Sequence, residues 1–231
     1  MEVWVTGGSW IASEGYGRMS EGKSVGFKKG KPCLPPGKEL FSPPLVRYGR
    51  FDEYTRLGCA GAALALNDAG LDPPAMKTPV GLITSSTFEC MATDLAYYQT
   101  TLAEGGAFSS PNLFSYTLPG IVLGECAAYF KLRGPVFCIG ETGERGWAAL
   151  KTSLEMLCSG KADVMIAGWI ESPPENLSGV KNEGETFPGC LFTILERESS
   201  RASTPRKRII YENHKIRFVE GREIKSLLDF F

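Results

Sequence analysis

Short apolar segments alternate along this chain with longer segments of helical periodicity. The apolar segments predicted to be strands are residues 2–6, 80–85, 136–139, 163–167 and 190–195. A helix between two strands must pack back on the sheet to bury its apolar stripe, and strands joined in this way run parallel. The pattern therefore predicts an α/β fold, layered helix on sheet on helix, with a mixed, partly parallel sheet.

Four helices are predicted between and beside these strands. They are expected over residues 55–69, 89–102 and 119–132, and from Trp147 to the stop at Gly160. The helix at 89–102 carries Met91, Leu95 and Leu102 on one face. Small residues in the helix at 55–69 would let that helix lie close to a neighbour. Glycines and prolines at the helix ends supply the expected stop and start signals.

The connections between these elements lead to finer predictions. The first strand is expected to stop at Gly7 and Gly8, and residues 15–50 are expected to form a long loop over the body of the protein. The run 136–139 is apolar without alternation, which fits a central strand covered on both faces. No repeat or interior linker interrupts the chain, so residues 1–231 are predicted to form one domain.

Charge and hydropathy exclude several classes of function. The chain has 25 Lys+Arg and 26 Asp+Glu, and its dense basic runs, 28–31 and 206–208, are expected to be solvated loops, which argues against nucleic-acid binding. There is no apolar run long enough for a membrane span. The first residues lack the cationic and apolar pattern of a secretion signal, so a cytoplasmic location is expected.

Cysteine and histidine usage argues against a metal centre or a bound cofactor. Seven cysteines are scattered without C-x-x-C spacing, and His214 is the only imidazole. Cys138 lies in an apolar strand, where burial would make its thiol inert, and Cys126 and Cys158 are likewise expected to pack in the core. With a single histidine, a Ser-His-Asp triad is improbable, and His214 is predicted to be a surface residue.

Short pieces of sequence, in a fixed order, resemble a known family. They lie at 3–7, 56–57, 68–71, 110–111, 118–119, 134–135, 160–168 and 191–196, the longest being Gly-Lys-Ala-Asp-Val-Met-Ile-Ala-Gly at 160–168. Their order and spacing cover most of the chain and resemble the N-terminal half of the β-ketoacyl-acyl carrier protein synthases. The resemblance implies one half of a thiolase-like fold.

In that family, the strand that begins at Gly-Pro leads into a sharp turn carrying the catalytic cysteine at a helix N-terminus. Counting from Gly134 places Gly143 at the nucleophile position, and a glycine cannot form an acyl-enzyme. Active members also use two His, or a His and an Asn, from a C-terminal half. We expect a tight turn with φ above zero at Gly143 and expect Glu144 to face the helix N-terminus. The turn lacks a phosphate-binding glycine pattern, so nucleotide binding is not favoured.

The resemblance also implies where an acyl pocket would lie. Its candidate lining residues are Phe108, Phe114, Tyr116, Glu141 and Thr142. The connection between Gly168 and Gly189 is shorter than is usual in the family, which argues against a complete acyl pocket. A narrow or closed cavity, bounded by Phe114, Glu141 and Thr142, is expected beside Gly143. The three aromatic candidates, Phe108, Phe114 and Tyr116, could instead be ordinary core residues.

The function implied is that of an accessory, non-catalytic ketosynthase-like protein, similar to a chain-length factor, in fatty-acid or polyketide-type assembly. Acyl carrier protein and a ketosynthase subunit are the implied partners, in a homo- or heterodimer that pairs along the strand at residues 136–140. One alternative is an active acyltransferase or 3-oxoacyl-acyl carrier protein synthase with a displaced nucleophile or a split active site. Another is a structural or regulatory interaction module.

Overall fold

Eight strands form one mixed sheet in the computed structural model, which describes residues 1–72, 79–174, 187–197 and 207–231. The strands are β1 (Glu2–Ala12), β2 (Gly15–Arg18), β3 (Val80–Ser86), β4 (Val136–Gly140), β5 (Val164–Glu171), β6 (Gly189–Glu196), β7 (Lys207–Glu212) and β8 (Lys215–Phe218). Their order is β4-β3-β5-β6-β1-β7-β8, with β2 paired to β1. The neighbours of β3 are parallel to it, and the remaining pairs are antiparallel. The sheet is therefore mixed and partly parallel, as predicted.

Helices cover both faces of this sheet. They are α1 (Gly37–Leu40), α2 (Glu53–Ala69), α3 (Met91–Leu102), α4 (Pro111–Phe114), α5 (Ile121–Phe130) and α6 (Trp147–Cys158), with a 3₁₀ turn at Leu227–Phe230. Neighbouring strand residues point to opposite faces, so Leu82 joins a core with α2 and α5 while Ile83 joins a second core with α6. The layered helix-sheet-helix arrangement is confirmed.

Helix α2 matches its sequence prediction most closely. Asp52 caps the amino end by accepting a hydrogen bond from the Thr55 amide (3.0 Å), and Gly70 ends the helix in the left-handed conformation at φ 65°. Both signals are local, because a capping side chain and a glycine stop act on the adjacent turn.

The end predicted for the first strand was wrong, since β1 continues through both glycines to Ala12. A Cβ on Gly7 would lie 2.6 Å from the Ala69 amide nitrogen, and the pairing register shifts between Val5 and Gly7. The glycines therefore mark a bulge and a close approach of α2, which are the other common uses of glycine within a strand.

Strand β4 lies at the edge of the sheet and is not the doubly covered central strand that its apolar run indicated. Phe137 is 37% exposed, and Cys138 and Ile139 are only partly buried. An apolar run without alternation indicates burial but does not say which neighbour provides it. The edge position agrees with the expectation that this strand is available for pairing.

Other surface features also differ from expectation. The segment 15–50 contains β2 and two short helical turns as well as α1, and Lys207 and Arg208 belong to β7 instead of a solvated loop. Helix α3 begins at Met91, and its apolar residues Met91, Leu95 and Leu102 are exposed.

Among the described residues, no helix combines the length and the hydrophobicity that a membrane span requires.

Candidate functional site

The candidate site is the turn that follows β4, at residues 141–146. Strands β3, β4 and β5 are parallel, so their carboxyl ends meet at one edge of the sheet. Gly143 has φ +92°, as expected for a sharp strand-to-helix turn, and Gly146 has φ +90° at the start of α6. A Cβ built on Gly143 would meet nothing within 4 Å. A Cβ at position 143 would therefore have open space around it, and the narrow or closed cavity expected beside Gly143 stays a prediction.

Glu141 occupies the amino end of α6. One of its carboxylate oxygens accepts a hydrogen bond from the Gly146 amide, and Oε2 accepts one from the Ala148 amide at 2.9 Å. The sequence had assigned this position to Glu144, which is exposed. A cap normally precedes its helix directly, so the local rules for capping do not find a carboxylate six residues before Trp147.

Burial raises the pKa of the Glu141 carboxyl above its ordinary value, although the amides of Gly146 and Ala148 act in the opposite direction. The nearby Glu144 raises this pKa further. The carboxylate thus gives up part of its hydration and receives hydrogen bonds from the helix amides in return.

Apolar residues from three other parts of the chain pack against the turn. The Arg145 guanidinium lies 5.4 Å from the centre of the Phe27 ring, and this ring meets Trp169 edge to face at 5.1 Å. Leu227 approaches Gly146 closely, and its amide donates to the Arg145 carbonyl at 3.0 Å. These contacts hold the turn against the ends of the sheet strands.

A buried carboxylate fixes the neighbouring end of β3. Glu171 has no exposed surface and accepts hydrogen bonds from the Ser86 hydroxyl (3.1 Å) and from the amides of Thr87 and Phe88 (2.9 Å each). The Ser86 carbonyl in turn accepts from the Glu141 amide at 2.9 Å. The hydrogen bonds therefore link the ends of β5, β3 and β4. Glu171 was not among the site residues predicted from the sequence, and its only signal was its place at the end of the apolar run that forms β5.

The five pocket candidates lie in different environments. Phe108 and Phe114 are 78% and 62% exposed, and Phe114 contacts Tyr97 with ring centres 5.4 Å apart. Tyr116 is 3% exposed and packs in the core on the α2 face, near Phe51. Thr142 is exposed, and Glu141 is half-buried at the helix. Their shared role as an acyl pocket stays a prediction.

The three cysteines singled out from the sequence lie in different environments. Burial raises the pKa of the Cys138 thiol, and Glu89 adds to that effect, so this thiol is poorly nucleophilic. Cys126 is buried as predicted and lies 3.6 Å from Cys59 (Sγ to Sγ), whereas Cys158 is exposed and not in the core. Cys158 is the last residue of α6, and its side chain is exposed at the carboxyl end of the helix.

His214 lies at the surface, as predicted. It is exposed in the tight turn between β7 and β8, where its Nδ1 is 3.4 Å from the Tyr211 hydroxyl. Within the described ranges, no three His, Cys, Asp or Glu side chains are grouped so that they could hold a metal ion.

Comparison with known proteins identifies the family. Residues 5–182 match the family model described as "Beta-ketoacyl synthase, N-terminal domain". The chain belongs to the β-ketoacyl synthase family. This assignment confirms the resemblance drawn from the short sequence pieces.

Two curated relatives of this β-ketoacyl synthase domain come from Streptomyces. One, from Streptomyces violaceoruber, is named β-ketoacyl synthase 1 of the granaticin polyketide; it is 30% identical over 143 residues, covering 58% of this chain and 33% of the relative. The other is the tetracenomycin polyketide synthase ketoacyl synthase alpha subunit of Streptomyces glaucescens, 28% identical over 131 residues, covering 53% and 30%. This chain matches about a third of the length of either relative.

Solved structures confirm the fold at much lower identity. The ishigamide ketosynthase/chain length factor aligns with a TM-score of 0.67 at 16% identity, covering 90% of this chain and 66% of its own. A type II polyketide ketosynthase bound to a hexaketide, in complex with its acyl-carrier protein, aligns with a TM-score of 0.71 at 17% identity, covering 91% and 67%. These alignments establish that the fold is that of the ketosynthases.

Proposed function

We propose that this chain is an accessory, non-catalytic ketosynthase-like subunit, comparable to a chain-length factor, in polyketide- or fatty-acid-type acyl assembly. The observation that carries the proposal is the glycine at position 143, in a positive-φ turn at the end of β4. This is the place where the family resemblance puts a nucleophilic cysteine. A residue without a side chain cannot be acylated there.

The proposed partners are an acyl carrier protein and a ketosynthase subunit, in a cytoplasmic complex. Support comes from the relatives, which are named as polyketide ketosynthases, and from solved neighbours that include a ketosynthase/chain length factor and a ketosynthase with its acyl-carrier protein. The exposed edge of β4 and the exposed apolar face of α3 offer a surface for a subunit contact.

Acyl loading tests the proposed lack of catalysis. Purified protein would be incubated with acetyl and malonyl thioesters, and its intact mass compared with that of an active β-ketoacyl synthase treated in the same way. We expect an acyl adduct on the active enzyme and none on this chain. A stoichiometric adduct that disappears when one cysteine is alkylated would contradict the proposal and favour an active synthase with a displaced nucleophile.

A further inference from the structure

Helix α6 begins at Trp147, four residues after Gly143. The first amides of a helix lack intrahelical partners and carry a partial positive charge, so they attract an anion. In this chain the amides of Gly146 and Ala148 already donate to the Glu141 carboxylate, and the Trp147 amide donates to the Glu144 carbonyl at 2.7 Å. The chain's own side chain thus holds the position that an external anion would take.

Both apolar and charged side chains surround the turn. Phe27, Trp169 and Leu227, which pack against it from outside, are all apolar. The charged side chains within the turn are Glu141, Glu144 and Arg145, and Glu144 is exposed to solvent. Outside the turn, the buried Glu171 carboxylate accepts a hydrogen bond from Ser86, whose carbonyl accepts one from the Glu141 amide. Among these charged groups, Glu141 is the one whose carboxylate accepts hydrogen bonds from the amides of Gly146 and Ala148.

We propose that Glu141 is the resident anion of the α6 N-terminus and prevents this turn from stabilising a thiolate or a thioester oxyanion. The inference builds on the proposed function in taking the turn as the nucleophile position. It adds that two residues, Gly143 and Glu141, set the turn apart from a catalytic one. Replacing the glycine alone would put a thiol on a turn whose helix amides already donate to a carboxylate.

The test measures the pKa of a thiol introduced at the turn. Gly143→Cys would be compared with Gly143→Cys/Glu141→Gln and with the control Gly143→Cys/Glu144→Gln, which removes an exposed charge from the same turn. Iodoacetamide alkylation rates would be followed from about pH 6 to 10, a range that spans the ordinary thiol pKa of about 8.5. Tandem mass spectrometry of peptide 134–145 separates the introduced thiol from Cys138.

We expect the single variant to have a thiol pKa at or above about 8.5. With Glu141→Gln the pKa should fall by about one unit, and alkylation near pH 7 should become roughly tenfold faster. The Glu144→Gln control should move the pKa by much less, because water screens its exposed charge. Glutamine keeps a side-chain oxygen to accept a helix amide, so Glu141→Gln should not disturb the turn further. Cysteine at φ +92° strains the turn in all three variants alike, and equal melting temperatures would show that the variants can be compared.

Two results would overturn the inference. One is a thiol pKa in Gly143→Cys that already lies well below the ordinary value. This result does not depend on whether the double variants fold. The other is an equal pKa shift in the Glu141 and Glu144 double variants. Neither result bears on acyl loading of the unaltered protein, so this inference and the proposed function can fail separately.

Discussion

At the residue scale, Glu171 is the most deeply buried acid in the part of the chain that the structure describes. Burial raises the pKa of its carboxyl above the ordinary 4.5, and the amides of Thr87 and Phe88 oppose the rise without cancelling it. The pKa values of Glu89, Asp94 and Glu141 are raised as well, each mainly by burial. All four carboxyl groups therefore bind protons more tightly in the folded chain than in the unfolded one.

This direction fixes the sign of a pH effect on stability. Where the folded state binds more protons, the free energy of unfolding increases as pH falls. We therefore expect these four groups to add stability between pH 7 and about pH 5, just above the ordinary pKa of a glutamate. Glu171→Gln should reduce that gain, because its amide does not titrate, whereas the exposed Glu39→Gln should leave it unchanged. Urea unfolding at pH 7 and at about pH 5 measures the gain in the free energy of unfolding for both variants. A gain in Glu171→Gln as large as in the unaltered protein would contradict the expectation.

At the element scale, small residues in α2 decide how closely the helix can approach the sheet. A Cβ on Gly61 would overlap the ring of Phe192 and lie 2.8 Å from the Cys190 sulfur. One on Gly58 would overlap Val122 of α5. The run of small residues read from the sequence therefore has a structural reason, which is close packing of α2 against β6 and α5.

Gly61→Ala should lower the free energy of unfolding by about 1–3 kcal/mol, because the added methyl group overpacks the contact with Phe192. Gly124→Ala is the matched control. Gly124 lies within α5, and its Cβ would meet nothing within 4 Å. Alanine there should raise the stability by about 0.5–1 kcal/mol through its higher helix propensity. Chemical denaturation of both variants checks the pair, and a neutral Gly61→Ala would mean that α2 can move away from the sheet at little cost.

At the scale of the whole molecule, the sheet ends on one side in an unpaired strand, and helix α3 leaves an apolar face exposed. The outer edge of β4 has no strand partner in the described residues. On α3, the exposed apolar side chains are Met91, Leu95, Tyr98 and Leu102. Monomeric proteins seldom leave such an edge and such a face uncovered together.

We expect the purified protein to self-associate through this side, with a dissociation constant that rises at least about tenfold in Leu95→Lys, which corresponds to about 1.4 kcal/mol. Val46→Lys is the control, since Val46 is 91% exposed but belongs to the loop before α2. Sedimentation equilibrium at several concentrations measures both variants. A strict monomer at every concentration, or equal effects of the two lysines, would count against this surface.

The sequence alone determined the features that depend on residues close together in the chain. The spacing of Leu57, Ala60 and Leu64 with the stop at Gly70 predicted α2, and the alternation of strands and helices predicted a mixed α/β sheet. The glycine at position 143 and its positive φ could also be anticipated, because only a glycine takes that conformation without steric cost. Periodicity, caps and turns act over a few residues, so one sequence contains their signal.

Only the tertiary structure decided which segments are neighbours. It placed β4 at the edge of the sheet, turned the apolar side of α3 to the surface and carried β1 through its two glycines. In the folded chain, the amides at the start of α6 donate to the side chain of Glu141 and not to that of Glu144, because the turn folds back on the helix. An apolar pattern reports that a side chain is suited to burial, whereas the partner that buries it is set by contacts between residues far apart in the chain.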